Sequence, residues 1–79
     1  VVSKTIGSWV AESEIADVLR AVEKAHDGVA IGSYPFFREG RTGANFVVRS
    51  PDEALVDTCL ADLTARLTEA GYAVAAGGI

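Results

Sequence analysis

An α+β sandwich, with a four-stranded antiparallel sheet under two helices, is the fold class that the sequence predicts. Three observations carry it. Two segments carry an apolar stripe of the kind a helix buries, the first at the spacing i, i+3, i+4, i+7. Shorter runs rich in β-branched and aromatic residues lie around them. The resulting order is strand, helix, strand, strand, helix, strand. Crossovers between parallel strands are right-handed, and each helix must bury its stripe on the sheet. The economical solution is a ferredoxin-like βαββαβ sandwich with both helices on one face, its second and fourth strands forming the edges.

The elements follow in order. Val1–Val10 reads as the first strand, with Val2, Ile6 and Val10 on one face and Thr5, Gly7 and Trp9 on the other. Acidic residues in Glu12-Ser13-Glu14 suit a helix start, where the macrodipole favours them. Ile15, Val18, Leu19, Val22 and Ala25 form its apolar stripe, so the first helix is expected from Glu12 to His26, stopped by Asp27-Gly28. Val29–Phe37 is the second strand; Pro35 cannot donate a ladder hydrogen bond, which puts this strand at an edge or at a bulge near Gly32. A charged, glycine-rich hairpin loop is expected at Arg38–Gly43, followed by a third strand from Ala44 to Arg49.

Ser50-Pro51-Asp52-Glu53 is the sharpest local signal. It reads as Ser50 in the N-cap, Pro51 at the first helical position and Glu53 closing a capping box. Leu55, Cys59, Leu60, Leu63 and Leu67 then make the second stripe, Gly71 ends the helix, and Tyr72–Ala76 is the last strand.

At 79 residues the chain has room for one core. Residues 1–76 are expected to form a single domain, with 77–79 as a tail, and a start without methionine reads as a piece of a longer protein. An apolar content of 49% and a charged content of 23% belong to a folded domain, not a disordered segment. A net charge of −4 opposes binding to phosphate backbones, where affinity comes from neutralising phosphates with Lys and Arg. No stretch approaches the roughly 20 apolar residues of a membrane span. A lone Cys59 excludes an internal disulfide and reads as a small buried hydrophobe in a reducing, cytoplasmic setting.

Residues capable of chemistry have ordinary explanations. His26 ends the first helix, where it suits the terminal carbonyls and is expected to point at solvent. Glu12, Glu14, Asp17, Asp52, Glu53 and Asp57 fall in helix first turns or on outer faces. No spacing suggests a metal site, and no cofactor is expected. Gly40-Arg41-Thr42-Gly43 matches the GxxG of KH domains, but that clamp works between two helices and here it joins two strands. Trp9, Tyr34 and Phe36 could share the open sheet face, as base-stacking aromatics do in RRM domains; the acidic charge and the lack of a basic-aromatic string oppose that reading.

One string exceeds what the fold requires. Ile31-Gly32-Ser33-Tyr34-Pro35-Phe36-Phe37, together with Glu12-Ser13-Glu14-Ile15-Ala16 upstream, resembles the region after the molybdopterin-binding-like domain in competence/damage-inducible protein A (CinA)-like proteins. The same family includes the corresponding part of eukaryotic FAD synthases. The resemblance implies a small accessory domain, sometimes described as KH-like, following a domain that carries the nucleotide pyrophosphatase or molybdopterin-type chemistry. It carries no catalytic residue onto this chain, since the motifs that would bear one are missing.

The expectation is therefore a non-catalytic accessory domain that packs on the nucleotide-handling domain or mediates oligomerisation. Aromatics and arginines are enriched at interface centres. That makes Ser33, Tyr34, Pro35, Phe36, Phe37, Arg38, Arg41 and Asn45 the candidate interface residues. An alternative is a hairpin contribution to a nucleotide or pterin pocket shared with the preceding domain, with Arg41 on phosphate and Tyr34 as a stacking platform. A KH-like nucleic-acid module is a further alternative.

Overall fold

The computed structural model describes all residues from Val1 to Ile79. Strand β1 spans Val2–Ser8, helix α1 Ala16–Ala25, β2 Ala30–Arg38, β3 Arg41–Ser50, helix α2 Glu53–Glu69 and β4 Val74–Ala76, with a 3-10 turn at Glu12–Glu14 before α1. The sheet order is β2-β3-β1-β4 and every pairing is antiparallel. This is the ferredoxin-like α+β arrangement, with β2 and β4 at the edges.

Register decides which face each residue takes, because directly paired residues share a side and successive ones alternate. Ile6 pairs with Phe46 and Ser8 with Ala44, while Ile31 pairs with Val48. The apolar side chains among these meet Ile15 and Val22 from the first helical segment and Val56, Cys59, Leu63 and Leu67 from α2 in one continuous core. Polar atoms on this side are placed in two ways. Ser8 Oγ donates to the Ala73 carbonyl at 2.7 Å. The Lys4 ammonium reaches Asp57 at 2.5 Å and Glu53 at 3.5 Å, and its hydrogen bond to Asp57 raises the Lys4 pKa.

Several boundaries differ from expectation for identifiable reasons. The segment expected as one helix from Glu12 to His26 is broken at Ile15, which is buried and has φ −119° and ψ 15°. Ala11 offers the preceding turn no side-chain cap, and α1 proper begins only at Ala16. Ala25, placed on the apolar stripe, is exposed. His26 does not point at solvent: its Nε2 lies 2.8 Å from Asp62 Oδ2 on α2.

The hairpin is tighter than expected. Its loop is the two residues Glu39-Gly40, with φ of 53° and 75°, so both central positions take the left-handed region of a type I′ turn. Strand β3 therefore starts at Arg41 instead of Ala44, and the β2–β3 register runs unbroken from Ala30↔Arg49 to Arg38↔Arg41, with no bulge at Gly32.

At α2 the N-cap is Asp52, not Ser50: its carboxylate accepts from the Ala54 amide at 2.9 Å. Ser50 is instead the last residue of β3, and its Oγ accepts from the Asp52 amide at 3.2 Å. The buried stripe is Val56, Cys59, Leu63 and Leu67, with Leu60 partly buried and Leu55 turned outward. At the other end the Tyr72 amide donates to Leu67 and the Gly71 amide to Thr68, a Schellman closure that uses the positive φ of Gly71. Tyr72 lies before β4, which is shorter than expected; its hydroxyl donates to Glu14 at 2.9 Å, which raises the Tyr72 pKa.

Candidate functional site

The sheet face away from the helices carries Thr5 and Gly7 of β1, Gly32, Tyr34, Phe36 and Arg38 of β2, and Arg41, Gly43, Asn45 and Val47 of β3. Its organising feature is a bare position. Gly43 pairs with Phe36, and a Cβ on Gly43 would meet the Phe36 ring, with Cε1 at 2.6 Å, and the Ser8 carbonyl at 3.1 Å. With only a hydrogen there, the ring can lie across β3 toward β1. It reaches Trp9, just past the end of β1, edge to face at 5.2 Å between centroids.

Two arginines complete the layer. The Arg38 guanidinium stands 4.3 Å from the Phe36 centroid, and that of Arg41 stands 4.3 Å from the Trp9 ring. Arg38 and Arg41 are paired residues across the turn, so two cationic residues are direct cross-strand neighbours on this face. The domain's ion pairs join Lys4 to Glu53 and Asp57, Arg20 to Asp17, and both His26 and Arg66 to Asp62. Arg38 and Arg41 take part in none of them.

The remainder of the face is covered by the segment after β4. Asn45 grips the Ile79 main chain with both ends of its amide, accepting from the Ile79 N–H at 2.8 Å and donating to its oxygen at 3.1 Å. Arg38 donates to the same oxygen at 2.9 Å. Gly7 makes room for this crossing, since a Cβ there would stand 2.7 Å from the Ile79 nitrogen.

The expected interface residues are thus divided between two faces. Tyr34, Phe36, Arg38, Arg41 and Asn45 lie on the open side; the Tyr34 ring covers Gly32 and stays 54% exposed. Ser33 and Pro35 are on the helix side, paired with Phe46 and Ala44, and Ser33 Oγ is enclosed without a hydrogen-bond partner. Phe37 is also on the helix side but near the hairpin tip, 72% exposed. Trp9 belongs with the open-face group. Its phase with Thr5 and Gly7 was the signal for it.

Other chemically capable residues are held elsewhere. Asp62 joins His26 to Arg66, whose Nε is 2.9 Å from Asp62 Oδ1; Arg66 first and then His26 hold the Asp62 carboxyl below its usual range. Burial pushes the Cys59 thiol up. Gly40-Arg41-Thr42-Gly43 is divided between the turn and β3, with Gly43 under the Phe36 ring. No three histidine, cysteine or carboxylate side chains converge. The one cavity, of about 420 Å³, is an open groove at the other end of β2, lined by Val1, Gly28, Val29, Ala30, Arg49, Ser50 and Pro51. No helix is long and apolar enough to cross a membrane.

Comparison with known proteins gives one finding. A family model described as FAD synthase, middle domain, matches residues 1–75. No curated protein and no solved structure matches the chain.

Proposed function

The chain belongs to the FAD synthase middle-domain family, and from that premise we propose that it is a non-catalytic accessory domain that docks its open sheet face on a neighbouring domain of the same protein. The observation that carries this reading is the Trp9–Phe36–Arg38–Arg41 layer. Aromatic and arginine side chains are stacked there on a sheet face that no helix covers. Interfaces concentrate these residue types at their centres. The chemically capable groups support a non-catalytic role, since His26 is tied to Asp62 and Cys59 is buried with a raised pKa.

The strings Glu12–Ala16 and Ile31–Phe37 support a finer placement among CinA-like proteins. The neighbour would then be a preceding molybdopterin-binding-like domain that supplies the nucleotide chemistry in the cytoplasm.

Association between the 79-residue chain and the rest of its parent protein tests the reading. The change of Tyr34 and Arg41 together to alanine is expected to leave the domain folded and weaken docking by about 2 kcal/mol or more, as loss of interface anchors does. Unchanged docking would remove the proposal. A second reading is favoured by the exposed Tyr34 ring and the unpaired Arg41: the hairpin lends both to a nucleotide or pterin pocket shared with the neighbour. Unchanged docking with a raised KM for a nucleotide substrate would select it.

A further inference from the structure

We propose that Arg38 and Arg41 together form a receptor for two carboxylates, supplied by acidic side chains of the neighbouring domain that docks on the open face. The inference rests on the docking reading and names its partner chemistry.

Four observations converge. First, the two arginines are directly paired across the Glu39-Gly40 turn, and like charges opposite one another in a sheet are unfavourable unless neutralised. Second, the chain carries 11 acidic residues, yet none forms an ion pair with either arginine. Glu39 is the one carboxylate of the turn between them, so the two arginines leave a local excess of positive charge on a domain whose net charge is −4. That is a patch complementary to an acidic partner and opposite in sign to the domain as a whole.

Third, both guanidinium groups are stacked over rings, at 4.3 Å from Phe36 and 4.3 Å from Trp9. Each guanidinium carries five N–H donors; Arg41 spends none within the domain and Arg38 spends one, so N–H groups remain for the charge-assisted pairing that carboxylates accept. Arg38 directs one N–H to Ile79, which further fixes its orientation. The receptor is thereby organised before the partner arrives, which lowers the entropic cost of docking.

Fourth, the rings that could stack a nucleotide base are already covered: a base on Phe36 or Trp9 would compete with the guanidinium over each ring.

The test measures docking of the 79-residue chain on the rest of its parent protein by titration calorimetry, for wild type and for Arg38→Gln/Arg41→Gln. Circular dichroism melts first establish that both forms fold. Wild-type affinity is expected to fall as salt rises, and the double variant to bind at least tenfold more weakly with a flatter salt dependence. Docking with the same affinity and salt dependence in the variant overturns the carboxylate receptor and leaves the docking reading standing. Failure of the wild type to dock overturns both. Inorganic pyrophosphate supplies the other arm, read by the fluorescence of Trp9, the chain's single tryptophan. Pyrophosphate binding that is lost in the variant while docking is unaffected would make the pair a phosphate site and overturn the proposal.

Discussion

His26 Nε2 lies 2.8 Å from Asp62 Oδ2, so the residue that ends α1 is tied to the middle of α2 through one carboxylate. Arg66, one turn further along α2, holds the other oxygen of Asp62 at 2.9 Å. The two helices otherwise meet through apolar side chains, and this bridge fixes their relative position at the layer's edge.

The bridge makes part of the stability dependent on pH. Arg66 and then His26 lower the Asp62 pKa below its ordinary 3.8 in the folded state. A carboxyl lowered on folding contributes stability that is present above its unfolded pKa and lost as pH falls through its folded pKa. Asp62→Asn should therefore cost roughly 0.5–1 kcal/mol at neutral pH, as partly exposed ion pairs do. The gap to wild type should close on acidification below pH 3.8. Urea melts at a series of pH values check this, and a gap independent of pH would refute it.

Gly43→Ala probes the open face. The added methyl group would collide with the Phe36 ring and press on the Ser8 carbonyl, 3.1 Å away, so the ring must swing off β3. The expected cost is about 1–2 kcal/mol, in the range of overpacking changes. The edge-to-face contact between Phe36 and Trp9 should be lost with it. Thermal melts give the first quantity and Trp9 fluorescence the second. An unaltered tryptophan spectrum would show that Gly43 is not what positions Phe36.

Leu55 and Val56 test the phase of α2. Val56 is 0% exposed and Leu55 38% exposed, although leucine is the larger side chain. Val56→Ala should cost roughly 2 kcal/mol through loss of buried methyl groups. Leu55→Ala should stay within about 1 kcal/mol, nearer the range of surface changes. Denaturant titrations of both variants decide it, and the reverse order would mean that α2 is rotated about its axis.

These details mark where the sequence was legible. The sheet order followed from two helical stripes and from Pro35, because a residue without an N–H belongs at an edge. Gly71 was legible because a helix that ends in the left-handed region favours glycine there. The start of α2 was not, since Ser50-Pro51-Asp52-Glu53 offers two capping side chains. Tertiary packing decided between them: Ser50 continues β3 into the core, leaving Asp52 to cap. The stripe was ambiguous for a similar reason, with two apolar residues adjacent at Leu55 and Val56. At the open face, residue types pointed to Tyr34, Phe36, Arg38, Arg41 and Asn45, but not to their layering. That layering needs the bare Gly43 to bring Phe36 against Trp9, a relation between three strands that no local pattern encodes. The crossing of Ile79 over Gly7 was equally hidden, because Gly77-Gly78-Ile79 reads only as a tail.

The position of β1 has a consequence for how the chain is made. It is the first strand of the domain to be synthesised and an interior strand of its sheet, between β3 and β4. Ile6 finds its partners at Phe46 and Ala76. On the ribosome Val2–Ser8 must therefore wait, with both rows of backbone hydrogen-bonding groups unmatched until β3 has emerged and one row unmatched until β4 has. The β2–β3 hairpin, closed by its own two-residue turn, can form earlier and offer β3 as a template. Closure at Val74–Ala76 comes last, so nascent chains stalled before it should expose a free edge of β1 to chaperones or to one another.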